Sequence, residues 1–131
     1  MASDASHWPG EEIEYLEEIL NEYKRYVENI GENGLSAPLL LYYRDELEET
    51  LRDLEGRAPL QSYWAQTVEL DNILRERSTD FVAEIGWESY RIQREARKPP
   101  QAYWWWHLDT YVPKPSRPNP VKTWWDWLQK P

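Results

Sequence analysis

EEIEYLEEILNEYKRYVENI, residues 11–30, is the stretch that decides the fold class. Its apolar residues Ile13, Leu16, Leu20, Tyr23, Val27 and Ile30 recur at alternating spacings of three and four, and Tyr15, Ile19 and Tyr26 widen the stripe on one side. A stripe of that period follows one face of an α-helix, because residues three and four apart are neighbours on a helix surface. Glu17, Glu18 and Glu22 form the solvated face opposite. Glu11, Glu12 and Glu14 lie near the N-terminal end of the helix dipole, where negative charge is favoured. Ser6 is placed to cap this helix, with Pro9 tolerated in its first turn, and Gly31-Glu32-Asn33-Gly34 stops it.

An amphipathic helix needs a partner for its stripe, and the next residues supply one. Ser36 is positioned as an N-cap and Pro38 as a first-turn residue of a second helix running to Gly56, with Leu40, Tyr43, Leu47, Leu51 and Leu54 on one face. The short connection makes the two helices an antiparallel hairpin. Pro59 opens a third helical stretch with Leu60, Tyr63, Trp64, Val68, Leu70 and Leu74 inward. Between residues 60 and 98 only Gly86 interrupts, which allows one long kinked helix. The alternative is a break at Ser78-Thr79-Asp80 and a fourth helix with Phe81, Val82, Ile85, Ser89 and Ile92 inside. The break is the better reading, because it yields four segments of similar length able to share one core.

Pro99-Pro100 ends the helical region, since each proline lacks a backbone donor and disfavours helix in the residue before it. The expected organisation is therefore an all-α acidic domain over residues 1–98 and an extended Trp/Pro-rich tail over residues 99–131, packed on that domain or on a partner. Residues 103–112 alternate as a strand would, with Trp104, Trp106, Leu108 and Val112 on one side and Trp105, His107 and Tyr111 on the other. Adjacent rings in such a strand cannot all face one surface. Pro113, Pro115, Pro118 and Pro120 read as a stiff extended spacer, and Trp124, Trp125 and Trp127 follow as a second aromatic anchor.

Composition narrows the function classes. Nine Trp and nine Tyr against one Phe give nearly every aromatic ring a polar handle, which suits interfaces and half-buried surfaces. There is no cysteine, which removes disulfides, thiolate metal sites and thiol nucleophiles and fits a reducing cytoplasm. No basic and apolar leader and no membrane-length apolar run is present, so neither a signal peptide nor a span is expected. Net charge is −9, and residues 1–60 alone carry 15 acidic and 5 basic side chains. Such a front disfavours nucleic acid and anionic membranes as partners.

Chemistry-bearing patterns are sparse. His107 and Asp109 form an H-x-D pair that needs further ligands to hold a metal, and His7 and Glu11 lie four apart. A magnesium-dependent all-α hydrolase would draw on Glu11, Glu12, Glu14, Glu18, Glu49 and Asp53, but their spacing departs from the paired acidic motifs such enzymes use. Arg91, Arg94, Arg97 and Lys98 ahead of Trp104, Trp105 and Trp106 superficially resemble a platform for single-stranded nucleic acid, yet basic residues at a helix C-terminus are what the helix dipole favours. No phosphate loop, nucleophile elbow or zinc-protease motif occurs. The expectation is thus a cytoplasmic, cofactor-free, non-enzymatic adaptor, assembly factor or small subunit. It docks a protein partner through Trp104, Trp105, Trp106, Trp124, Trp125 and Trp127, and self-association is compatible with the same anchors. The alternative is an acidic inhibitor that mimics nucleic acid.

Overall fold

The computed structural model of the chain describes residues 10–113. Among these the regular structure is entirely helical. Helix α1 is Gly10–Glu28, α2 is Pro38–Leu54, α3 is Gln61–Glu76, α4 is Ser78–Ile85 and α5 is Trp87–Arg97, with short 3-10 turns at Gly34–Ser36 and Trp104–Tyr111. The expected cap Ser6 and Pro9 lie outside the described residues. No helix among the described residues is long and apolar enough to cross a membrane.

The stripe of α1 does what its period requires. Leu16, Ile19, Leu20, Tyr23, Tyr26, Val27 and Ile30 are all buried, while Tyr15 stays 43% exposed. They face Leu40, Leu41, Leu47, Leu51 and Leu54 of α2, and α1 and α2 form the antiparallel hairpin. Ser36 does not cap α2. Its hydroxyl donates to the Asn33 carbonyl at 2.7 Å and closes the 3-10 turn, and Ala37, in helical conformation, precedes the first residue of α2.

Residues 61–97 are broken twice. The first break falls at Arg77, just before Ser78, as the turn signal there implies. The second is Gly86, whose φ of 89° and ψ of 135° no helix interior accepts and which side chains with a Cβ adopt only with strain. That break rephases α5. Tyr90 is fully buried, Ser89 is half-buried, and Ile92, expected inside, is 52% exposed. Helix α3 keeps Leu60, Leu70 and Leu74 buried as expected and departs at one position: Val68 is 52% exposed, and Thr67 and Asp71 are buried.

The strand expected at residues 103–112 is absent, and this is the largest correction. Lys98 closes α5 in the left-handed region, and Tyr103 N donates to the Pro100 carbonyl, so the chain turns back at once. It then winds through Trp104–Tyr111 as 3-10 turns kinked at His107. Successive side chains in a 3-10 turn are about 120° apart rather than opposed. Neighbouring rings can therefore enter the same core, and Trp105 and Trp106 are 2% and 0% exposed. The segment packs against α4, α5 and α2.

Candidate functional site

The densest chemistry in the molecule lies where the tryptophan segment meets α2. Asp45 is 4% exposed, and its Oδ1 accepts the indole N–H of Trp105 at 2.7 Å and of Trp106 at 2.8 Å. Its Oδ2 accepts Arg97 Nε at 2.9 Å. Arg97 also reaches Glu49, which receives the Tyr103 hydroxyl at 3.3 Å. One carboxylate thus gathers two adjacent indoles and the end of α5, a geometry that opposed strand side chains cannot reach.

One residue earlier, Arg44 builds a second network. It is 3% exposed and grips both oxygens of Asp71 through Nε and Nη2, at 2.9 and 3.0 Å. Its Nη1 donates to Glu48 at 3.0 Å, and its guanidinium lies 4.0 Å from the Trp105 ring centroid. Arg52 donates to the second oxygen of Glu48, and the Tyr23 hydroxyl donates to Asp71 at 2.6 Å. Burial raises the Tyr23 hydroxyl well above its ordinary range, and the adjoining Asp71 carboxylate pushes it the same way. For Arg44 burial is the largest influence and works against the charge, but Asp71, Tyr23 and Glu48 together outweigh it and the guanidinium is held above its usual value.

An ion in a protein interior carries a desolvation penalty of several kcal/mol unless it is paired. Here the buried Asp45, Glu48 and Asp71 are met by the buried Arg44, the half-buried Arg97 and the exposed Arg52, three charges of each sign. Among the described residues no buried side-chain polar atom lacks a partner. The arrangement clamps helices and rings together.

The kink at His107 is held by Tyr90, whose hydroxyl donates to the Trp105 carbonyl and accepts the Leu108 N–H at 3.1 Å. Burial raises this hydroxyl too. Arg94 donates to the Trp106 carbonyl at 3.0 Å and pairs with Asp109 at 2.9 Å. The arginines that suggested a nucleic-acid platform are thus engaged within the chain: Arg91 with Glu88 and Glu95, Arg94 with Asp109, Arg97 with Asp45.

Of the six expected docking indoles, Trp105 and Trp106 lie in the core, and Trp104 is half-buried under Arg75, whose guanidinium is 3.8 Å from its ring centroid. Trp124, Trp125 and Trp127 lie outside the described residues, as does His7. Asp109 of the H-x-D pair is the partner of Arg94, and the His107 carbonyl accepts the Thr110 hydroxyl. Glu11, Glu12, Glu49 and Asp53 line a shallow cleft between α1 and α2 together with Tyr15 and Thr50. Arg57 bridges Glu12 and Asp53 there, and the Tyr15 hydroxyl is pushed up to about 12 by its hydrogen bond to Glu46. Among the described residues no group of three or more acidic or histidine side chains is gathered to hold a metal.

The opposite end of the hairpin carries a feature the sequence reading passed over. Glu84 of α4 accepts three loop N–H groups, from Gly31 at 2.9 Å, Asn33 at 2.6 Å and Gly34 at 2.9 Å. The loop so clasped presents Leu35 at 103% exposure, and Leu39 and Tyr42 continue the strip at 40% and 42%. Beside it runs a groove of about 420 Å³ walled by Leu35, Pro38, Glu84, Ile85, Ser89 and Gln93. The spacing of Leu35, Leu39 and Tyr42 is helical and visible in the sequence, but these residues lie outside the inward line of Leu40, Tyr43 and Leu47, and isolated apolar residues on an outer face carry no signal of their own.

Compared with protein-family models, with curated proteins and with solved structures, the chain matches none of them.

Proposed function

We propose that this chain is a non-enzymatic protein–protein interaction module, an adaptor or small subunit, that docks its partner through the Leu35 strip together with the aromatic anchors of residues 124–127. The observation that carries the reading is the presentation of Leu35. A leucine side chain wholly in water on a free loop would be unremarkable, but this loop is fixed by three N–H···O bonds to Glu84. A preorganised apolar anchor loses little conformational freedom on binding, so more of its burial appears as affinity. Leu39 and Tyr42 extend the contact, and Tyr42 rests edge-on against Trp106 with ring centroids 5.8 Å apart. The strip is therefore backed by the rigid clamp around Asp45.

The test is affinity capture with cross-linking on the full chain and on Leu35→Asp, a change that touches no core contact. The expected result is at least a roughly tenfold loss of captured partner, the scale of a central apolar anchor worth more than about 1.4 kcal/mol. Equal capture by both chains would overturn the assignment. A truncation that asks the same of the tail has to begin at Lys114, because one that begins at Pro99 also removes Trp105 and Trp106 from the core.

A second reading is favoured by one observation. Glu11, Glu14 and Glu18 are exposed along α1 with Glu22 half-exposed in line with them, a row of carboxylates one helical turn apart. Such a row suits a basic groove, and the inhibitor reading predicts binding that falls steeply with added salt, whereas docking through Leu35 is nearly salt-independent.

A further inference from the structure

We propose that the groove between the Leu35 strip and α5 receives an amphipathic helix of the partner protein, with lysine or arginine flanking its apolar face. The inference rests on the reading of the Leu35 face as a docking surface and names the kind of partner that surface fits.

The first argument is the apolar area still held by water. Leu35, Pro38 and Ile85 line the groove, Leu39 and Tyr42 continue its α2 side, and Ile92 lies one turn along α5 from Ser89. Leu35 is wholly exposed, and Leu39, Tyr42 and Ile92 are each exposed by two-fifths or more. The groove between α1 and α3 also has apolar walls in Leu20, Leu70 and Ile73, but Leu20 and Leu70 are already buried and Ile73 is half-buried. Apolar affinity comes from area removed from water on binding, and the Leu35 groove holds more of it.

The second is shape. Ser89 and Gln93 line the groove with Leu35 and Pro38, and Arg97 bonds Asp45 and Glu49 further along α2, so α5 runs beside α2 in the same direction. A trough between two helices seats a third with ridges in grooves, and it reads apolar anchors at spacings of three and four. Leu35 and Tyr42 are seven residues apart, about 10 Å along a helix, which suits anchors two turns apart on the occupant. The described residues form no strand and so offer no sheet edge to an extended peptide.

The third is charge. The exposed Glu32 precedes Leu35 in the clasped loop, and the exposed Glu46 lies one turn past Tyr42 and accepts the neutral Tyr15 hydroxyl rather than a base. The arginines of α5 are engaged by carboxylates of this chain: Arg91 by Glu88 and Glu95, Arg94 by Asp109, and Arg97 by Asp45 and Glu49. Both ends of the strip are therefore acidic, and the chain as a whole carries −9. That charge draws a basic partner and repels a second copy of this chain.

The test is selection on the full chain from a phage-displayed library of random peptides of about 20 residues, long enough for about five helical turns. The expected winners carry apolar residues at i, i+3 or i+4, and i+7, with lysine or arginine outside that line. Leu35→Asp should retain them at least about tenfold less well. On Glu32→Lys/Glu46→Lys the winning flanks should turn acidic. Both variants change exposed side chains, and their melting temperatures should match that of the unaltered chain. Winners without a helical period, flanks indifferent to the charge reversal, equal retention by Leu35→Asp, no enrichment at all, or a free chain that sediments as a dimer dissociated by Leu35→Asp would each overturn the proposal. Protein capture that depends on Leu35 beside acidic or non-helical winners sinks the basic helix alone. Basic helical winners that depend on Leu35, beside protein capture that ignores it, sink the assignment of the captured partner to this face instead.

Discussion

The α1–α2 hairpin and the tryptophan segment are both buried against α2, but by different physics. The hairpin closes through leucine, isoleucine and tyrosine side chains whose fit depends on shape and area. The segment closes on Asp45, which bonds three donors, and on Tyr90, which bonds two backbone groups. A long helix can carry a continuous apolar stripe. A segment of 8 residues wound in 3-10 turns cannot, and point-to-point polar bonds set its register instead. Apolar packing thus gives the bundle its mass, and one buried carboxylate fixes where the two tryptophans go.

The sharpest way to break this comparison is to remove that carboxylate. Asp45→Ala leaves two indole N–H groups without their acceptor and Arg97 without its buried partner, and the expected loss is about 3–5 kcal/mol in urea unfolding. Leu51→Ala in the hairpin is expected to cost about 2–5 kcal/mol. The two differ in kind. The Leu51 variant should keep the native near-ultraviolet tryptophan signal below its midpoint, whereas Asp45→Ala should lose part of it before global unfolding. A loss below about 1 kcal/mol for Asp45→Ala would mean that the indoles are not held as described.

Alkaline titration sharpens the same contrast. Tyr23 joins the hairpin to α3 and Tyr90 holds the tryptophan segment, and burial raises both hydroxyls above the ordinary tyrosine value of about 10. A hydroxyl raised in the fold contributes stability that is fully present below the unfolded value and is lost as pH rises through that value toward the folded one. Stability should therefore hold steady up to about pH 9 and then decline. The slope from the two groups together approaches about 2.7 kcal/mol per pH unit, or about 1.4 for each proton released on unfolding. Tyr90→Phe and Tyr23→Phe should each remove about 1.4 kcal/mol per pH unit from the slope, to which the raised hydroxyls of Tyr15, Tyr63 and Tyr103 also add. A flat profile to pH 11 would show that neither hydroxyl is buried in solution.

The elements differ in how far they could be read in advance. The stripe of α1 and the prolines bounding the helical region act locally, and period and punctuation convey them. Asp45, Arg44, Glu48 and Asp71 were not foreseen as a core cluster. Charged residues read as surface, and only the fold shows that Arg44 and Asp71, on different helices, meet in a bidentate pair. A trace was present: Arg44 lies four residues after Leu40 and three before Leu47, on the inward line itself. The tryptophan segment misled for the opposite reason. Its alternation fits a strand, but no sheet partner is available among the described residues, and two rings reaching for one oxygen favour turns.

Helix α3 gives the most modest test and the one that bears most directly on how its face was read. Val68 was placed inward because it extends the line of Leu60 and Trp64, yet it is 52% exposed, and Thr67 and Asp71 are turned to the core. Leu70 and Leu74 are buried as expected, and the departure at Val68 goes with Asp71. Its ion pair with Arg44 fixes the face of α3, and a valine one position past Thr67 is carried outward. Val68→Lys should therefore be tolerated and even stabilising by a few tenths of a kcal/mol, because lysine has the better helix propensity and loses no buried contact. Were Val68 inward, the same change would bury an ammonium and cost several kcal/mol. The sign of a small shift in the urea midpoint thus decides which face α3 presents, and with it whether Asp71 lies within reach of Arg44.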